Sequence, residues 1–365
     1  MDRRSLHRFS FNRFNFSLLI PSVLLVFLGL ATFFSIDPNI FRQQLFFLIV
    51  SIIFYFIFLN IDYRIFVVYS KYIYVFMISL LVILFLIGVE AKGAVRWIDL
   101  FGVRIQFSEI IKPFFIIFIA NYLSKSDDRS FFKFTKVLLL LFPIFFLTLK
   151  QPDLGNALIY FATTIFVLLV YGFPLKYFLG FGISGALLVP LVFNFLHDYQ
   201  KQRLLTFVNA SHDPFGSSYN AIQSLISIGS GGFFGKGFGQ ATQSILKFLP
   251  ERHTDFIFAT IAESLGIVGG ILILVFFTLL LYKIYKISTT VSDSFSYLVL
   301  MGFYFLFLTH IFLNIGMNIG IVPIVGITLP FVSYGGSSLL TSFIILGIIS
   351  SITFDYRKKN SLEIR

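Results

Sequence analysis

The stretch FIFATIAESLGIVGGILILVFFTLLLY, residues 256–282, contains a single charged side chain, that of Glu263. A helix needs about 20 mostly apolar residues to cross the roughly 30 Å hydrocarbon core of a bilayer, because it rises about 1.5 Å per residue. This stretch is long enough, and it lacks the polar face of a helix on a soluble protein. It therefore predicts a membrane-spanning helix.

Nine further stretches of the same kind occur along the chain. They cover residues 16–36, 43–60, 69–88, 108–123, 134–149, 154–171, 175–195, 296–319 and 333–354. Of the 365 residues, 57% are hydrophobic and 12% are charged, about half the charged fraction of a soluble domain. These figures nearly exclude soluble enzymes and nucleic-acid-binding modules, and they predict an all-α integral membrane protein with about ten transmembrane helices.

The distribution of positive charge predicts the orientation of these helices. With a cytoplasmic N-terminus, 17 of the 28 Lys and Arg residues fall on the cytoplasmic face, 10 on the opposite face and one, Lys112, within a span. Cytoplasmic loops carry an excess of Lys and Arg, so we expect both termini in the cytoplasm. The net charge of +11 is then a signal of topology, and we expect no nucleic-acid partner.

Two connections, 89–107 and 197–254, are longer than the others, and both are expected on the extracytoplasmic side. Connections of more than about 15 residues are usually functional or disordered. We expect 197–254 to be a large extracytoplasmic loop between helices 7 and 8. Within it, helical spacing at 219–228 predicts an interfacial or re-entrant helix. With no second soluble domain in view, residues 1–365 are expected to form one polytopic membrane domain.

Glycines provide weaker signals. The run at 229–239 does not match a nucleotide-binding P-loop, because Ser230 stands where the upstream Gly is needed. The spacings Gly266-xxx-Gly270 and Gly316-xxx-Gly320 predict close packing between membrane helices.

Four charged residues lie near the ends of predicted spans, where charge is costly and needs an explanation. Glu109 and Lys112 are at i and i+3 on one helical face, which fits either a structural ion pair or a functional cavity. Asp153 and Asp255 each precede a predicted span, so helix N-capping is the structural alternative to a functional role.

If these four side chains converge, they provide the groups needed for a transfer reaction. One carboxylate can accept a proton from an acceptor hydroxyl, while Lys112, Arg96 and Arg203 can neutralise a diphosphate leaving group. Trp97 either stacks on a sugar or belongs to the interfacial aromatic belt. A Mg²⁺ or Mn²⁺ ion at the diphosphate is compatible with this chemistry. No protein metal site is predicted, since His253 has no second ligand at a suitable spacing.

Several motifs together carry a resemblance to one known family. They are GAVRWIDL (93–100), QFSEIIK (106–112), QPDLGN (151–156), YQKQR (199–203), SYNAIQS (218–224), the glycine run 231–239, PERHTDFIF (250–258) with Glu263, and LPFVSYGGS (329–337). In order and spacing they resemble the SEDS family (shape, elongation, division and sporulation), the bacterial peptidoglycan glycosyltransferases that include RodA and FtsW. Phe107 departs from the family, which usually has Pro there. The segment 317–333 is more similar to RodA than to FtsW.

The resemblance implies a fold of ten transmembrane helices with a large extracytoplasmic loop between the seventh and eighth. It implies polymerisation of lipid II, the undecaprenyl-diphosphate-linked disaccharide-pentapeptide, with Asp255 as the general base that activates the acceptor's GlcNAc 4-hydroxyl. The family's cavity residues correspond to Trp97, Glu109, Lys112 and Asp153, and Arg203 and Gln223 are added as substrate-binding residues because of their loop positions.

The resemblance also implies a cellular role and a partner. The role is cell-wall elongation and rod-shape maintenance at the bacterial cytoplasmic membrane. The substrates are lipid II and a lipid-linked nascent glycan, and the partner is a class B penicillin-binding protein that cross-links the new strand. An FtsW-like division polymerase is the alternative within the family.

Two other classes of function fit the sequence less well. A lipid II flippase or another transporter also needs intramembrane charges, but here the polar residues gather at the extracytoplasmic ends of spans four, six and eight. A non-catalytic scaffold needs Asp255 only as a helix cap, so that Asn or Ser replaces it with little loss.

Overall fold

The computed structural model describes residues 15–363 except 88, 92–93, 101–102, 196–200, 203–206 and 208–217. The helices are α1 (Phe16–Ile36), α2 (Pro38–Asn60), α3 (Arg64–Ile87), α4 (Phe107–Ile110), α5 (Lys112–Ser124), α6 (Phe131–Lys150), α7 (Leu154–Tyr171), α8 (Leu175–Phe195), α9 (Tyr219–Gly231), α10 (Thr242–Ile245), α11 (Ile257–Ser288), α12 (Ser294–Asn318) and α13 (Gly336–Glu363). The strands are β1 (Val89–Ala91), β2 (Ala94–Leu100) and β3 (Val103–Ile105).

Within the described residues, nine helical segments are long and apolar enough to cross a bilayer: α1, α2, α3, α4 together with α5, α6, α7, α11, α12 and α13. The tenth predicted span, 175–195, coincides with α8 (Leu175–Phe195). The prediction of a helical, multi-pass membrane protein is therefore confirmed. The predicted span 108–123 is divided at Ile111, because α5 restarts with Pro113 in its first turn, a position that suits proline.

A small antiparallel sheet in the order β1-β2-β3 occupies most of the connection 89–107. Val89 pairs with Trp97 across the first ladder, and Ile98 pairs with Ile105 across the second. The sheet packs against α3 and α4, so this connection has a defined structure beside the start of α5.

The core of the bundle is built around three elements, α5, α12 and α13, whose residues are mostly buried. Helix α2 packs along α13, and α1 packs against α11. At one end of the bundle, Gln106 N donates to Ser337 Oγ at 2.8 Å. At the other end, Ser351 Oγ donates to the carbonyl oxygen of Ile61 at 2.8 Å. We call the end with Gln106 and Ser337 the loop face, because it carries the long connection 196–256. We call the end with Ile61 and Ser351 the terminus face.

Helix α9, predicted at 219–228, is present and is followed by a glycine-rich turn that enters a break in α11. The break is at Gly266, which has a left-handed φ of 68°. Four backbone hydrogen bonds join turn residues 232–237 to residues on both sides of the break, between 263 and 268. The carboxylate of Glu263 is fully buried and accepts hydrogen bonds from Gln243 N and from Ser244 N and Oγ at 2.7–3.0 Å. This arrangement fixes the connection to the start of α11.

Candidate active site

The turn that precedes α11 is held by hydrogen bonds to five consecutive carbonyl oxygens, those of residues 251–255. In order of the accepting carbonyl, the donors are Thr254 N, Thr254 Oγ1 and Phe256 N (3.1, 3.2 and 3.2 Å), Thr260 Oγ1 (2.9 Å), Tyr334 N (2.8 Å), Ser333 Oγ (2.7 Å), and Asn314 Nδ2 with Asn318 Nδ2 (3.0 Å each). Four of these donors lie on α12 or on the segment before α13. The backbone that carries Asp255 is therefore fixed from several directions, as a preorganised catalytic group requires.

Asp255 is partly exposed on this turn. Helix α11 begins at Ile257, and Phe256 occupies its N-cap position without a side-chain cap. Asp255 thus lies one residue before the position from which N-cap side chains act.

Glu109 and Lys112 form the ion pair that their spacing predicts. Lys112 Nζ lies 2.8 Å from Glu109 Oε1 and 3.0 Å from His310 Nε2. The side chain of Lys112 is 1% exposed, and Glu109 and His310 are also buried. A cavity of about 10 Å³ beside the pair has the space of about one water molecule. In this arrangement Lys112 is enclosed.

His310 has a defined tautomer in this cluster. Its Nδ1 lies 3.2 Å from the carbonyl oxygen of Thr328, an acceptor, so Nδ1 carries the proton. Nε2 is then free of hydrogen and accepts from the Lys112 ammonium. The neutral imidazole therefore provides the Lys112 ammonium with a second hydrogen-bond acceptor, beside Glu109, and brings no second positive charge into the cluster.

Asp153 caps α7, the local contact that its position before the predicted span predicts. Its Oδ1 accepts from Asn156 N at 3.2 Å, and its Oδ2 accepts from Gln106 Nε2 at 2.6 Å and Ser108 Oγ at 3.2 Å. Asp153 is 2% exposed. These contacts tie the start of α7 to the connection before α4, so Asp153 positions the segment that carries Glu109.

A polar stripe on α12 connects the two halves of the site. His310, Asn314 and Asn318 follow one another at intervals of four residues, which places them on one helical face, and all three are buried. His310 contacts Lys112, whereas both Asn side chains contact the Asp255 carbonyl. Three buried polar residues at this interval in an apolar helix are a signal that could have been found in the sequence, and it was missed.

Three other predicted residues lie in different parts of the loop face. Trp97 is in β2 and is partly exposed, and Arg96 precedes it in the same strand. Gln223 is on α9, and its Oε1 is buried without a hydrogen-bond partner. The next residue on that helix, Ser224, donates to the carbonyl oxygen of Asn318 at 2.9 Å. Arg203 lies outside the described residues.

No group of three or more His, Asp and Glu side chains suited to a metal ion occurs within the described part of the chain. Glu109 is paired with Lys112, and Asp153 accepts from neutral donors.

Residues 11–358 match the model of a family described as cell cycle protein, which comprises FtsW, RodA and SpoVE. The chain belongs to the FtsW/RodA/SpoVE family. The match covers nearly the whole sequence and includes every element that builds the site. The resemblance inferred from the motifs is thereby confirmed.

Individual members of the FtsW/RodA/SpoVE family align over similar lengths. The peptidoglycan glycosyltransferase MrdB of Escherichia coli K12 is 36% identical over 344 residues, 92% of this chain and 93% of MrdB. A chain in a solved structure on "structural coordination of polymerization and crosslinking by a peptidoglycan synthase complex" has a TM-score of 0.83 at 29% identity, covering 94% of this chain and 98% of that one. The rod shape determining protein RodA of Thermus thermophilus has a TM-score of 0.71 at 26% identity, with coverages of 94% and 97%.

Proposed function

We propose that this chain is a peptidoglycan glycosyltransferase that polymerises lipid II into glycan strands. The observation that carries the proposal is its 36% identity to the peptidoglycan glycosyltransferase MrdB over 92% of the chain. The fixed turn at Asp255 supports it, because it presents a partly exposed carboxylate next to a buried polar network.

In the proposed reaction, Asp255 acts as the general base. The acceptor's GlcNAc 4-hydroxyl oxygen forms a bond to the donor's anomeric carbon, and the bond from that carbon to the diphosphate oxygen breaks. The hydroxyl proton goes to Asp255, and the bonding electron pair leaves with undecaprenyl diphosphate. General-base assistance is typically worth about 10²- to 10⁴-fold in rate, and stabilisation of the leaving charge adds to it.

The cations and aromatic residues of the loop face form the proposed substrate-binding site. Arg96 and Arg203 neutralise the diphosphate, Trp97 contacts a sugar, and Gln223 contributes from α9. Lys112 is enclosed with Glu109 and His310, so it reaches a diphosphate directly only when that contact opens. A Mg²⁺ or Mn²⁺ ion carried by the diphosphate belongs to the proposal, because Mg²⁺ is commonly bound by substrate phosphates and one or two carboxylates.

The proposed setting is the bacterial cytoplasmic membrane, with the loop face outside and both termini in the cytoplasm. The positive charges favour this orientation. We assign the chain to elongation and rod-shape maintenance with a class B penicillin-binding protein as partner, acting on lipid II and the nascent lipid-linked glycan. The RodA-like segment 317–333 favours this assignment over an FtsW-like role in division.

The experiment that tests the function is lipid II polymerisation by the purified chain, with and without its cognate transpeptidase. We expect glycan strands from the wild type and none from Asp255→Asn, since Asn keeps the size of the side chain and removes its basicity. Size-exclusion profile and co-purification with the transpeptidase check that the variant folds.

The other outcomes have distinct meanings. Glycan strands from both the wild type and the variant support the glycosyltransferase proposal and contradict the assignment of Asp255 as the general base. Strands from neither, with the transpeptidase present, contradict the glycosyltransferase proposal, and a lipid II flipping assay then tests transport. Loss of wild-type product on chelation of divalent ions supports the proposed cation, and an unchanged yield contradicts it.

A further inference from the structure

Arg252 is a mostly buried residue whose guanidinium Nε has no hydrogen-bonding partner among the described residues. The residue is 8% exposed, and its Nε is buried without a hydrogen bond. The nearest acidic influence is Asp37, between α1 and α2, but the two side chains form no salt bridge in the described structure. A buried N–H without an acceptor costs free energy, so the Arg252 Nε needs an acceptor that the described protein does not supply.

The electrostatic environment reflects this cost. Burial lowers the pKa of the Arg252 guanidinium below its usual value, and the Asp37 carboxylate only partly offsets the effect. Asp37 is itself engaged as the N-cap of α2, where its side chain accepts from Asn39 N at 2.8 Å. Asp37 is therefore not a dedicated partner of Arg252.

The position of Arg252 is fixed by the same contacts that fix Asp255. The carbonyl oxygen of Arg252 accepts from Thr260 Oγ1 at 2.9 Å, within the run of five bonded carbonyls. Arg252 lies three residues before Asp255 on this rigid turn. The backbone therefore holds a cation and the proposed base in a constant relationship.

We propose that Arg252 binds the diphosphate of the lipid-linked substrate, an inference that rests on the proposed function. A planar guanidinium presents several N–H donors in a fork that matches phosphate oxygens. An anion that arrives with the substrate supplies the partner that the protein lacks. The same contact strengthens as negative charge develops on the leaving diphosphate, so it favours bond cleavage as well as binding.

Binding of undecaprenyl diphosphate tests this inference without requiring turnover. Its affinity is measured by native mass spectrometry or fluorescence competition for the wild type, Arg252→Gln and Arg252→Lys. We expect Arg252→Gln to bind about 10- to 100-fold more weakly, the effect of losing a charged hydrogen bond. Arg252→Lys keeps the charge without the fork and is expected between the two.

Lys247→Gln is the matched control, because it removes an exposed positive charge from the same connection. It is expected to leave the affinity unchanged. Affinity of Arg252→Gln within two-fold of the wild type overturns the inference, and so does an equal loss in Lys247→Gln. If Arg252→Gln fails to fold, the affinity of Arg252→Lys for undecaprenyl diphosphate tests the inference instead. Wild-type affinity in that variant shows that the forked N–H donors of the guanidinium do not bind the diphosphate, and it overturns the inference.

The binding result and the polymerisation result can fail separately. A wild type that binds undecaprenyl diphosphate through Arg252 but forms no glycan keeps the phosphate site and contradicts the proposed function. A wild type that polymerises lipid II while Arg252→Gln keeps its affinity for the product contradicts only the inference about Arg252.

Discussion

Glu109 and Lys112 show how a buried charge pair can be tested for function separately from stability. Removing one partner leaves the other uncompensated, which typically costs about 3–5 kcal/mol. A loss of activity in Lys112→Ala is therefore ambiguous. Replacing both residues with neutral side chains of similar size removes the pair without leaving a buried charge.

We predict that the double variant Glu109→Gln, Lys112→Met folds with near wild-type Tm but does not polymerise lipid II. Lys112→Ala is expected to be both destabilised and inactive. Thermal unfolding in detergent and the polymerisation assay, run on the same preparations, separate the two effects. Full activity in the double variant assigns the pair to structure alone.

Local contacts in the site were predictable from the sequence, whereas long-range ones were not. The ion pair of Glu109 with Lys112 and the cap by Asp153 follow from spacings of three residues. His310 is 198 positions from Lys112, and no local pattern relates the two. Arg252 was also missed, because its burial depends on how the turn before α11 packs against distant segments.

At the scale of elements, α11 differs most from its prediction. The sequence 256–282 predicts one continuous span, and Gly266 with Gly270 predicts close helix packing. The structure confirms the span but places a break at Gly266. A Cβ added at Gly270 would lie 3.5 Å from the ring of Phe258, which belongs to the same helix. The difference arises because the glycine-rich turn after α9 supplies hydrogen bonds that replace part of the helix's own.

We predict that Gly266→Ala destabilises the protein and abolishes its activity. A left-handed conformation costs a non-glycine residue about 1–3 kcal/mol, and a Cβ here would lie 2.4 Å from Gly235 N and Phe233 O. Thermal unfolding and lipid II polymerisation measure both effects.

The control is Gly180→Ala on α8, where no heavy atom lies within 4 Å of the added carbon. This variant is expected to keep the wild-type Tm and activity. Equal stability of Gly266→Ala and Gly180→Ala contradicts the requirement for a break in α11.

At the scale of the whole molecule, composition and apolar segments were sufficient to predict the class of fold. Most predicted spans differ from the observed helices by a few residues at their ends. The sheet in 89–107 was not predicted. Its strands are short, and they pair through backbone hydrogen bonds that leave no signal in the hydropathy of the sequence. Charge asymmetry predicts the orientation, which can be tested directly.

We predict that the loop face is extracytoplasmic. The chain contains no cysteine, so single substitutions give unique labelling sites. In intact cells stripped of outer barriers, a membrane-impermeant maleimide is expected to label Gln240→Cys and to leave Lys125→Cys unlabelled until lysis. Both positions are exposed, and the reverse pattern contradicts the orientation.

The break in α11 also constrains the order in which the chain enters the bilayer. Gly266 lies roughly 14 Å along α11 from its first residue, and unsatisfied backbone groups at membrane depth are strongly disfavoured. The turn at 232–237 that satisfies them precedes α11 in the chain, so it has already been synthesised when α11 emerges. If the loop face is extracytoplasmic as predicted, insertion of α11 is coupled to prior translocation of the connection. Delay of that translocation then leaves the nascent helix without its partner.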